Sequence, residues 1–353
     1  MRKITVLICA LSMVMLCSCN TSPDTPQADH TEAEHEKTLF AMDTYMSLKA
    51  YGENGGNVLE KAALQITELE DMLSVTESGS EISQINSADT AAVGISDDTT
   101  ELLKASLALN KETNGAFDIT LYPVSQEWGF TTNDHHIPDD KRLEELLANT
   151  GCDKIHLDDA VQKASLDKNV SIDLGGIAKG YAGKIAAETL KRNNIKSALL
   201  NMGGNVQTVG AKPDGSAWKV GIQDPEDESL LAGSVEVIDK AVITSGGYER
   251  FFIGQDGKKY HHIIDPKTGR PAENGIISST VIGDDGALCD ALSTSFYIMG
   301  VDGASEYLSR HHETDAVLIG DDNTLYITKG IEQAFEPLNS FTDARIVVIG
   351  KTG

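Results

Sequence analysis

The chain is poor in basic residues: 29 Lys and Arg stand against 54 Asp and Glu in 353 residues, for a formal charge of -25. That shortage excludes a nucleic-acid binder working by phosphate neutralisation, which needs surplus cations. Cysteines are few as well, five in all, which excludes a disulfide-stapled scaffold. No apolar run reaches the roughly 20 residues of a membrane-spanning helix, and the sequence has neither an internal repeat nor a Walker-type phosphate loop. With 40% hydrophobic residues, 32 glycines and 9 prolines, what remains is an ordinary globular chain with length for one large domain or two modest ones. Its acidity poses a chemical problem, because such a protein repels anionic substrates unless a cation or aimed backbone NH groups intervene.

The N-terminus reads as an export signal. Arg2 and Lys3 precede an apolar stretch from Ile4 to Leu16, too short to span a bilayer and right for a signal peptide. The ending is similar to a bacterial lipobox: Leu16 lies three residues before Cys19 and small Ser18 directly before it, whereas Cys17 would place bulky Leu16 at the cut. The expectation is a lipoprotein signal over 1–18, a lipid-bearing Cys19, a flexible acidic tether over 19–37 and one domain over 38–353, held on the extracytoplasmic side, in the periplasm or at the cell surface. An ordinary secreted protein cut nearby is the alternative. His30 and His35 fall in the tether and read as bystanders. Once the signal leaves, Cys152 and Cys289 remain beside the lipidated cysteine. They can bridge or stay as buried thiols, and the sparse count favours thiols.

The body mixes both periodicities. Apolar spacing predicts helices over 57–73, 98–114 (an Asp98/Glu101 capping pattern, stopped at Gly115), 139–150, 177–192, 287–299 and 302–311. Strands are predicted over 39–50, 154–158, 170–174, 197–202, 218–223, 233–239, 259–264, 276–283, 316–319, 325–328 and 345–349. This pattern reads as a single large α+β catalytic domain.

Three segments carry chemistry. In Asp173–Gly180, DLGGIAKG, an apolar run ends in a carboxylate and turns through two glycines into a helix; the turn suits either close helix packing or an anionic ligand at a helix N-terminus. In Ala287–Met299, Asp290, Ser293, Thr294 and Tyr297 share a face free of Glu, Lys and Arg. That face is either solvated or a set of hard oxygen donors suited to Mg²⁺. In Tyr260–Pro271, YHHIIDPKTGRP, the DPKTG stretch is a good turn, and adjacent His261 and His262 in a strand must face opposite sides. One of them can therefore enter a pocket as a base near neutral pH. Asn114–Thr120, NGAFDIT, reads by itself as a helix C-cap leading into a strand.

These four segments in this order, behind a lipobox and after AMDT at Ala41, closely resemble the FAD:protein FMN transferase (ApbE) family across essentially the whole mature domain. The resemblance implies an ApbE-type fold and enzyme. By motif, it implies that Met42, Ala116, Phe117, Asp118, Asp173, Lys179 and Ile264 contact FAD. It implies Mg²⁺ held by the Gly176 carbonyl, Asp290, Ser293 and Thr294, and His262 near the reaction centre. The implied reaction cleaves the FAD pyrophosphate, passes FMN to a threonine hydroxyl of an exported or membrane-bound acceptor protein of an electron-transfer system, and releases AMP. FAD hydrolysis to FMN and AMP, or flavin storage, are the alternatives. Two departures stand out: Asp43 where many relatives have glycine, and Cys289 where alanine is common. The family's acceptor pattern is not found in this chain, where Asp159–Ser165, DAVQKAS, comes nearest, so a separate acceptor is expected.

Overall fold

The computed structural model describes residues 32–132 and 134–350. The signal peptide, Cys19 and tether residues 20–31 lie outside the described residues. The tether ends earlier than its composition suggests, because Glu34 already begins a strand. Glu34 and Glu36 reach Lys49 across that strand's pairing, which places four polar tether residues in the sheet.

A nine-stranded sheet runs in chain order: β1 (Glu34–Ala41), β2 (Thr44–Tyr51), β3 (Ser197–Met202), β4 (Asn205–Val209), β5 (Ala241–Gly246), β6 (Ile276–Gly283), β7 (Thr314–Gly320), β8 (Leu325–Thr328) and β9 (Ile346–Ile349). Neighbours are antiparallel except β8 and β9. Both faces are covered, so side chains alternate between two cores. On β7, Ala316 and Leu318 point under the helices, while Val317 and Ile319 meet a three-stranded sheet built from Trp218–Gln223, Leu231–Val237 and Phe335–Pro337.

The helices among the described residues are α1 (Gly55–Leu73), α2 (Glu81–Ser87), α3 (Asp97–Glu112), α4 (Tyr122–Glu127), α5 (Asp140–Leu147), α6 (Ala178–Arg192) and α7 (Gly286–Arg310). Helix α1 buries Leu59, Ala62, Ile66, Leu69 and Leu73, which recur at helical spacing within the predicted range. Helix α3 is capped by Ser96, whose hydroxyl accepts from Thr99 N at 3.2 Å, and not by Asp98. Gly300 breaks α7 into the two predicted segments, with φ 70° and ψ -176°.

Three expected strands differ. The run 39–50 is a hairpin turning at Met42 and Asp43, both at positive φ (51° and 59°), the mirror-type turn that matches strand twist. Residues 170–174 form no strand, because Asn86 takes the place of a neighbouring chain and bonds Ile172 N at 2.8 Å and Ile172 O at 2.9 Å. The run 259–264 breaks after His261, so Lys259–His261 pairs with Phe251–Ile253 and Ile264–Asp265 with Arg270–Pro271. The segment after Asn114 enters turns and α4, not a strand. Cys152 and Cys289 are buried and unbridged.

Candidate active site

The polar face of α7 is buried, which removes the solvated alternative. Asp290 is 6% exposed and Ser293 0%. Its Oδ2 accepts from Gly180 N, the fourth residue after Gly176, at 2.8 Å. That approach requires glycine on both helices: a Cβ on Gly180 would collide with the Gly286 carbonyl oxygen, and one on Gly286 with Gly180. Close helix packing thus explains Gly180, while Gly175 and Gly176 form the turn itself. The Ser293 hydroxyl donates to Asp290 O at 2.8 Å, and Ser245 Oγ at the end of β5 lies 2.7 Å from Ser293 Oγ and 3.0 Å from Thr294 Oγ1. Burial pushes the Asp290 carboxyl above its usual range, and the Lys179 charge and the Gly180 bond only partly offset this. Among the described residues no three His, Cys, Asp or Glu side chains cluster. The donor set is instead one carboxylate and hydroxyls, which fits Mg²⁺ better than a transition metal. Beside it the buried Gln207 Oε1 is an acceptor without a hydrogen-bond partner, and the Asn205 side chain approaches the Asp290 carboxylate as a donor.

The glycine turn meets the GAFD segment. Asp173 N donates to Ile119 O at 2.8 Å, and a Cβ on Gly176 would lie 3.3 Å from the Phe117 ring. Phe117 is held in turn by Thr113 Oγ1, which accepts its NH at 3.0 Å, and by Asn110 Nδ2, which donates to its carbonyl at 2.7 Å. Ala116 and Phe117 are buried, and Asp118 bonds Thr120 N at 2.8 Å. Burial raises the Asp173 carboxyl, against the Gly175 NH bond and the Arg250 charge. Met42 N donates to Glu70 Oε1 at 2.7 Å, which ties the β1–β2 turn to α1.

The two histidines face opposite ways. His261 is buried, with Nε2 3.1 Å from Ala272 O and Nδ1 accepting from Ile263 N at 3.3 Å, so it is a structural group. His262 is half-buried, its ring 6.4 Å from that of Phe130. Its backbone NH and its Nδ1 both point at the Arg250 carbonyl oxygen, at 3.1 and 3.2 Å. A carbonyl only accepts, so Nδ1 carries the proton and Nε2 holds a free lone pair. Burial, and next the Arg250 charge, hold this imidazole down to about 4, well below the near-neutral value expected from sequence. Ile264 sits apart, its side chain packed with Trp128, Val124 and Leu143. There Trp128 Nε1 donates to Gly269 O at 2.7 Å and pins the DPKTG turn.

Lys179 joins the halves, since its charge acts on Asp290, Glu249 and His262. Sequence reasoning missed Ser245, Glu249 and Arg250. Their signal is the run Ser245-Gly246-Gly247-Tyr248-Glu249-Arg250, a strand leaving through two glycines as DLGG does.

Residues 42–318 match the family model described as ApbE family. A FAD:protein FMN transferase of Klebsiella pneumoniae is 31% identical over 278 residues, covering 78% of this chain and 86% of that protein. One of Vibrio cholerae is 33% identical over 242 residues, covering 67% and 71%. Among solved structures, the ApbE protein of Thermotoga maritima superposes with a TM-score of 0.80 at 29% identity, covering 86% of this chain and 99% of that one. The flavinyl transferase ApbE of Pseudomonas stutzeri gives 0.77 at 25% identity, covering 87% and 98%. The chain belongs to the ApbE family.

Proposed function

We propose that this protein transfers FMN from FAD to a threonine hydroxyl of a separate acceptor protein and releases AMP. The relatives named as FAD:protein FMN transferases support flavin transfer. The observation that carries the finer reading is His262 with Nδ1 on the Arg250 carbonyl and Nε2 free, with the Lys179 charge acting on both this ring and Asp290 on the oxygen-donor face of α7.

In the proposed reaction the threonine oxygen attacks the FMN phosphorus and the bond to the bridging oxygen breaks. AMP leaves with that oxygen and its electron pair. His262 Nε2 takes the threonine proton, while the Arg250 carbonyl keeps the ring oriented through Nδ1. Gly176 O, Asp290, Ser293 and Thr294 would hold Mg²⁺, which supplies charge neutralisation at the pyrophosphate. Phe117 and the glycine turn shape the wall against which the flavin nucleotide would lie. This local chemistry offsets a chain at -25.

The setting belongs to the same proposal: an exported lipoprotein anchored through Cys19, supported by the lipobox alone. Among the described residues no helix is long and apolar enough to cross a membrane. The test is incubation with FAD, Mg²⁺ and an exported acceptor domain or its threonine-to-alanine variant, read by in-gel flavin fluorescence. Fluorescence on the threonine form alone supports transfer. FMN and AMP without labelled protein would replace transfer by hydrolysis, and intact FAD would replace both by storage.

A further inference from the structure

We propose that the Arg250 guanidinium is a phosphate-binding group of this site, and that Asp43 competes with substrate for it. The proposal rests on the FAD reading above. Arg250 lies between elements that the site brings together from distant parts of the chain. Its backbone carbonyl fixes His262, and its guanidinium Nη2 faces Asp43 Oδ2 at 3.8 Å in the β1–β2 turn beside Met42. Its charge also reaches Asp173 and Glu249. One residue therefore places the base with its main chain and a cation with its side chain.

The charge balance around Arg250 points the same way. Asp173, Glu249, buried Asp290 and exposed Asp43 bring four carboxylates to its surroundings, and Lys179 and Arg250 are the cations whose charges act on them. A pyrophosphate entering such a site needs both cations, and arginine offers the planar fork that matches phosphate oxygens. The Asp43 pair is a poor alternative for that fork. At 3.8 Å, with side chains 52% and 82% exposed, it makes no hydrogen bond, and pairs of this kind hold weakly in water. A phosphate can displace it. Asp43 itself sits at φ 59°, a conformation in which glycine or asparagine is at ease and aspartate is tolerated. The carboxylate is thus not required by the turn.

The test compares FAD with riboflavin, which shares the isoalloxazine and lacks phosphate, by flavin-fluorescence titration of the full mature protein in Mg²⁺. Arg250→Gln should weaken FAD binding by about ten- to a hundredfold, the span of a charge-assisted hydrogen bond, and leave riboflavin unchanged. Arg250→Lys should fall between, and Asp43→Asn should tighten FAD severalfold. Unchanged FAD affinity in Arg250→Gln, or an equal loss for riboflavin, would overturn the phosphate assignment while wild-type binding kept the FAD reading intact. Unchanged affinity in Asp43→Asn would overturn the competition. Wild-type protein that bound neither flavin would overturn the FAD reading and this assignment together.

Discussion

Gly180 N lies 2.8 Å from Asp290 Oδ2, a hydrogen bond between two helices whose sequences are 110 positions apart. It turns a packing contact into a chemical one. The close crossing at Gly180 and Gly286 brings the first turn of α6 onto the carboxylate of α7, which takes up the Gly180 NH.

Gly180→Ala should therefore do more than remove flexibility. The added methyl meets the Gly286 carbonyl oxygen and Asp290 Cβ, and overpacking of this kind costs about 1–3 kcal/mol. Denaturant melts should show that loss together with weaker Mg²⁺ binding, because the collision lies against Asp290, the carboxylate of the proposed metal site. Wild-type stability and metal affinity would contradict the crossing.

Asp290→Asn should separate stability from function. Burial raises the Asp290 carboxyl above its unfolded value, so the charged group costs stability as pH rises through its folded pKa. Removing the charge should raise the melting temperature at neutral pH without added metal, and it should abolish Mg²⁺-dependent transfer. A less stable, fully active variant would contradict both halves.

His262→Ala should lower transfer by about 10²–10⁴-fold, the usual range for a general base, with FAD still bound. Equal transfer in the variant would remove His262 from the mechanism. Its buried neighbour His261 already spends both ring nitrogens on Ala272 and Ile263, so replacing it should lower stability first.

The pH dependence follows from the same ring. Its active form is neutral and its pKa is held down to about 4 from 6.5, so the acid limb of kcat/KM should lie near pH 4. Between those two values the unfolded chain binds a proton that the folded chain refuses. Unfolding free energy should therefore rise with pH across that window, and His262→Ala should flatten part of the slope. His261 is lowered by burial as well and supplies a further share. An acid limb near 6.5 would contradict the desolvation of this imidazole.

Much of this fold was legible where side-chain pattern alone decides. The strands at 197–202, 218–223 and 276–283 run over the predicted residues, because their apolar residues face packed layers. The hairpin at Met42 escaped because non-glycine residues make its turn. Residues 170–174 looked like a strand because Val170, Ile172 and Leu174 alternate into the core, yet the Asn86 side chain satisfies that backbone, a partner that no local pattern reveals. The oxygen face of α7 was readable from what it lacks, whereas Ser245 and Arg250 had only the faint signal of a strand leaving through two glycines, and the structure gives them partners by laying β5 beside α7 and Arg250 near Asp43.

Chelation offers a check on the charge argument. If Mg²⁺ and local groups overcome the net charge of -25, EDTA should weaken FAD binding far more than moderate salt does, since screening acts mainly on distant surface charges. Unchanged affinity under chelation would leave the acidic composition unexplained by this site.

The most direct measurement is the stoichiometry of AMP release against protein-bound flavin, with the modified residue located by mass spectrometry of the acceptor. FMN transfer predicts one AMP for each FMN joined to a threonine, and neither product rising in His262→Ala. AMP and free FMN accumulating while the acceptor stays unlabelled would contradict it.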